Sequence, residues 1–91
     1  MAQYMVERHL PGITEEQLAA AAGAAKKTTA EMARAGTPVR YLRSTFVPGE
    51  NKCYCLFEGP DEKAVCEAND RAALPYDRVV EAKLLASEDL P

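Results

Sequence analysis

The run KCYCLFE, Lys52 to Glu58, sets two cysteines one residue apart, and the chain's single histidine, His9, closes a β-rich run near the N-terminus. Imidazole nitrogen, thiolate sulfur and carboxylate oxygen are the donors that borderline divalent ions such as nickel, zinc and copper accept. A Cys-x-Cys pair on one strand face offers two donors at once. With Glu50 just upstream, His9, Glu50, Cys53 and Cys55 are the candidate metal ligands. No second Cys-x-Cys, Cys-x-x-Cys or His-x-x-x-His completes a closed four-ligand site. The competing reading makes the cysteines small buried hydrophobes and His9 a strand-end histidine bonded to a neighbour or to water.

Cys53, Cys55 and Cys66 are an odd number of cysteines, which fits reduced thiols better than a disulfide framework. Two residues apart on a strand, the Cα atoms of Cys53 and Cys55 lie about 6.5 Å apart, near the upper limit for a bridge. Cys66, beside an expected buried valine on a helix, reads as structural. The acidic pairs Glu15/Glu16, Asp61/Glu62 and Glu88/Asp89 read as helix-start charges or a solvated tail. No nucleophile elbow, phosphate-binding glycine loop or metalloprotease helix occurs, so no catalytic constellation is legible.

The elements that must position these groups follow from periodicity and punctuation. Residues 3–10 form a strand closed by Pro11 and Gly12. Thr14 and Gln17 make a capping box for a helix whose apolar positions Leu18, Ala22, Ala25, Thr29 and Met32 recur at helical spacing up to Gly36. Residues 39–47 and 52–58 form a hairpin in which Pro48 and Gly49 suit the centre of a type II turn. Asp61 caps a second helix over 61–74, with Val65, Ala68 and Ala72 inward, ended by Pro75. Residues 77–85 make the last strand, and the tail after it carries no expected regular structure.

Strand, helix, strand, strand, helix, strand is the split βαβ arrangement of the ferredoxin-like α+β fold. Right-handed crossovers order the sheet 4-1-3-2, antiparallel throughout, with both helices on one face. The 91 residues make one domain, 1–91. Strand one then runs against strand three, so His9 is expected to converge with Glu50 and Cys53. Several strands look apolar on both faces, and helices cover only one. A homodimer through the open face is the expected solution.

A net charge of −3 gives no basic footprint for nucleic acid. No apolar run reaches the roughly 20 residues that span a bilayer, and the N-terminus lacks a secretory signal, so a cytoplasmic location is expected.

The segments MVERHLPGIT, PVRYLRSTFVP, KCYCLFEGP and ALPYDRVVEA resemble, over residues 3–82, a bacterial family catalogued as a domain of unknown function that includes a nickel-binding, nickel-responsive protein. The resemblance implies a ferredoxin-like fold, a homodimer, and nickel bound for sequestration or detoxification rather than for turnover. The alternative is a small enzyme of the dimeric α+β barrel type, such as a cofactor-independent monooxygenase, with its pocket between sheet and helices.

Overall fold

In a computed structural model that describes all of residues 1–91, the alternating and capped segments appear in the expected order. They are β1 (Ala2–His9), α1 (Glu15–Arg34), β2 (Arg40–Val47), β3 (Lys52–Gly59), α2 (Glu62–Arg71) and β4 (Arg78–Ala82). The sheet runs β2-β3-β1-β4 with every neighbouring pair antiparallel, the ferredoxin-like arrangement. No helix is long and apolar enough to cross a membrane.

Side chains alternate across a strand, and one set on each faces the helices. On β1 that set is Tyr4, Val6 and Arg8, and on β3 it is Cys53, Cys55, Phe57 and Gly59. Tyr4, Val6, Cys53, Cys55 and Phe57, with Val79, meet Ala25 and Met32 of α1 and Val65 and Ala68 of α2 in one core. Burying a side chain such as Phe57 contributes about 1.5–3 kcal/mol. Gly59 is a close approach, since a Cβ there would stand 3.4 Å from Val39 and 3.6 Å from Val65.

Both helix starts follow their caps. Thr14 Oγ1 accepts the Gln17 N–H and the Thr14 N–H donates to Gln17 Oε1, each at 3.0 Å, and Asp61 Oδ1 accepts the Ala64 N–H at 2.8 Å. Thr29 ties α1 to β2, its Oγ1 donating to the Ala25 carbonyl and accepting from the Tyr41 N–H. At the end of α1, Gly36 takes φ 107° while the Gly36 and Thr37 N–H groups bond Ala33 and Met32 carbonyls, a Schellman closure.

Four local expectations need correction. The second helix stops at Arg71, before Pro75, because Ala73 adopts a left-handed φ of 57° and the Ala73 and Leu74 N–H groups close a Schellman motif on Asp70 and Asn69. The β2–β3 connection is a 3-10 turn over Pro48–Glu50, and the left-handed residue is Asn51 (φ 55°) rather than Gly49. Strand β4 ends at Ala82 instead of Leu85: its only partner is β1, and the last pair between them is Gln3 with Ala82. The tail holds one short 3-10 turn, Ser87–Asp89.

Candidate functional site

His9 is exposed and stands at the end of β1 opposite Lys52. The Leu10 N–H donates to the Asn51 carbonyl at 2.7 Å, which ties the chain after His9 to the turn that carries the exposed Glu50. His9 and Glu50 therefore share one end of the sheet, as expected from topology.

The cysteines do not join them. Cross-strand partners share a face, and the register pairs His9 with Lys52 but Arg8 with Cys53. Cys53 and Cys55 thus point toward the helices, while His9 lies on the opposite, helix-free face. The convergence of histidine and cysteines holds along the strand direction and fails across the sheet. Of the two, Cys53, at the start of the strand, is 0% exposed, and Cys55 is the one that borders a cavity.

The two sulfurs lie 3.8 Å apart. Two thiolates on a tetrahedral ion with metal–sulfur bonds of about 2.3 Å sit roughly 3.8 Å apart, so the bite suits a metal. The surroundings do not. Burial, then the neighbouring Cys55, pushes the Cys53 thiol up to about 11, so it stays protonated at neutral pH. The nearest oxygens are hydroxyls, with Ser44 Oγ 3.0 Å from Cys55 Sγ and Tyr41 Oη 2.7 Å from Ser44 Oγ. Nowhere in the chain do three His, Cys, Asp or Glu side chains gather as one metal group.

On the helix-free face Glu7 is already engaged, accepting from Lys52 Nζ at 3.1 Å and Arg78 Nε at 2.7 Å. These bonds, Arg78 first, hold its carboxyl below the usual 4.5. Beside this cluster Met5, Tyr54, Leu56 and Val80 form an apolar strip on an otherwise polar face, bordered by Arg43, Thr45 and Lys83, with Leu84 from the tail against part of it.

Sequence reasoning missed Arg8. It is 4% exposed, yet it enters no ion pair. Its Nη2 donates to Asn69 Oδ1 at 2.8 Å and its Nη1 to the Pro75 carbonyl at 3.2 Å. Asn69, 1% exposed, in turn donates from Nδ2 to the Val65 carbonyl at 2.9 Å. The available signal was the period-two pattern itself, which places a cation in line with Tyr4 and Val6 on the inward face.

Arg8 borders a cavity of about 170 Å³ between α1 and the sheet. It exists because the first half of the α1 stripe is short: Ala21 and Ala22, with Leu18, leave a gap above Ser44 and Cys55 that larger side chains would fill. Ala25 also lines it, and Thr29 and Met32, farther along, are buried. Leu10, Ile13, Leu74 and Pro75 wall the open end from the β1–α1 and α2–β4 loops.

Comparison with known proteins fits this arrangement. Among curated proteins nothing matches. The crystal structure of SCO4226 from Streptomyces coelicolor A3(2) superposes with a TM-score of 0.79 at 29% identity, covering 93% of this chain and 100% of that one. The family model described as nickel responsive protein SCO4226-like matches residues 4–82, and the chain belongs to that family.

Proposed function

We propose that the chain is a non-enzymatic nickel-binding protein of the cytoplasm that takes nickel as cargo, for sequestration or detoxification, and works as a homodimer. Membership of a nickel-responsive family carries the reading. His9 and Glu50 support it as the donors that solvent reaches at one end of the sheet. Nickel accepts mixed nitrogen and oxygen shells with open positions, so one imidazole and one carboxylate make a start that is chemically sound.

One chain alone is short of ligands. A two-fold contact through the apolar strip of the helix-free face repeats each donor and supplies the remainder from the second copy. In this reading the protonated, walled-in Cys53 and its neighbour Cys55 serve the core rather than the metal.

Calorimetric titration of the reduced protein with nickel, alongside light scattering, tests the proposal. The wild type should bind nickel as a dimer, and His9→Ala should lose at least one equivalent. Unchanged stoichiometry and affinity in His9→Ala would overturn the assignment, and a monomer mass at micromolar concentration would overturn the dimer.

A further inference from the structure

The cavity beneath α1 has no part in the nickel reading. It measures about 170 Å³. Protein interiors are otherwise close-packed, and a space of this size deprives every side chain around it of contacts on one side. Leu10, Ile13, Leu18 and Leu74, four branched aliphatic side chains, stand around it and are each only half-buried. An occupant between them would complete their burial.

The wall decides the chemistry of that occupant. Eight of its eleven residues are hydrophobic, and the polar groups among the others are engaged elsewhere. The Arg8 guanidinium donates to Asn69 Oδ1 and the Pro75 carbonyl. Ser44 Oγ is taken up by Tyr41 Oη at 2.7 Å and Cys55 Sγ at 3.0 Å. No buried side-chain nitrogen or oxygen lacks a partner. An ion entering here would lose its hydration and gain no hydrogen bond in return. Water, which needs several polar partners, is poorly held for the same reason. A neutral apolar molecule gives up nothing on entry and gains dispersion contacts along the whole wall.

Size narrows the class further. An apolar protein cavity of about 150 Å³ is enough to hold benzene, so a single aromatic ring with a small substituent matches the volume. The Cys55 sulfur on the sheet side is polarizable and favours the edge of an aromatic ring.

We propose that the space between Leu18 and Ala22 of α1 and Ser44 and Cys55 of the sheet is a binding site for a small uncharged aromatic molecule of about the size of toluene. Leu10 and Leu74 flank its entrance. The site lies on the helix-covered face, away from His9, and is independent of the nickel reading.

The test uses the metal-free full chain, reduced, with toluene as the probe and benzylamine and benzoate as its cationic and anionic counterparts, followed by backbone amide NMR shifts. Toluene should give saturable shifts, largest at Leu18, Ala22, Ser44 and Cys55. It should bind at least about tenfold more tightly than either ion, because each charge would be desolvated without a partner. Ala22→Leu fills the cavity from the helix side, should leave the far-ultraviolet circular dichroism spectrum unchanged, and should abolish toluene binding. Ala21→Leu narrows the same space from the neighbouring position and gives the same reading should Ala22→Leu fail to fold. No saturable shift with toluene, equal affinity for toluene and benzoate, or binding retained in the folded leucine variant would each overturn the proposal. A space that Leu10 and Leu74 close by turning inward in solution predicts the first of these.

Discussion

Replacing Asn69 by leucine isolates the energetics of the stranded cation. Leucine has the same branched heavy-atom skeleton as asparagine with bulkier methyl ends, so the change opens no cavity, and the main loss is two hydrogen bonds. The first, from Arg8 Nη2 at 2.8 Å, is charge-assisted and contributes about 1.5–3 kcal/mol. The second, from Nδ2 to the Val65 carbonyl at 2.9 Å, is neutral and contributes about 1 kcal/mol. Together they amount to about 3 kcal/mol, a large fraction of the roughly 5–14 kcal/mol expected for a domain of this size. The melting temperature should fall on the order of 15 °C. Urea denaturation followed by far-ultraviolet circular dichroism measures the loss directly. The reasoning has a second handle. Adding Arg8→Met to Asn69→Leu removes the cation that the first change left unpaired and should recover about 2 kcal/mol. A loss below about 1 kcal/mol in Asn69→Leu, or strict additivity within about 0.5 kcal/mol in the double variant, would refute the claim that Asn69 holds a desolvated charge.

The folded Glu7 carboxyl titrates below its ordinary 4.5, so its stabilising effect is present above that pH and disappears as pH falls through the lowered value. The urea midpoint of the wild type should therefore drop more steeply than that of Glu7→Gln between about pH 5 and pH 3, and parallel curves would contradict the ion-pair assignment. The two cysteines should respond differently to serine. Cys53→Ser puts a hydroxyl into a fully buried site beside the Cys55 sulfur, 3.8 Å from the present one, and thermal melts should report a loss of about 1–3 kcal/mol. Cys55→Ser keeps Ser44 Oγ in reach, 3.0 Å from the present sulfur, and should cost within about 1 kcal/mol. Equal losses would show that Ser44 does not partner position 55.

Local signals carried far where the physics is local. The Thr14/Gln17 capping box, the Asp61 cap and the stop at Gly36 are short-range hydrogen-bond problems, and each stands where the residues place it. The stop at Ala73 did not show itself because alanine bears no mark of a left-handed φ, and Pro75 was the visible breaker. Asn51 outcompeted Gly49 for the left-handed position of the β2–β3 turn, asparagine being the other residue that tolerates it. The early end of β4 rests on its pairing with a different strand, β1, a pairing that stops at Gln3.

The sequence by itself determined the element order and hence the β2-β3-β1-β4 sheet, because periodicity and right-handed crossovers leave one compact solution. It also determined that His9 and the β2–β3 turn meet at one sheet end. Which face each side chain takes was decided by the tertiary register. With a side-chain period of two, pairing His9 with Lys52 sends His9 out and Arg8 and Cys53 in, and a slip of β1 by one residue would have put His9 on the face of Cys53 and turned Arg8 out. The cavity, too, belongs to the tertiary structure alone. Small residues at positions 21 and 22 leave a void only because α1 is held off the sheet there, while Thr29 and Met32 draw its second half down.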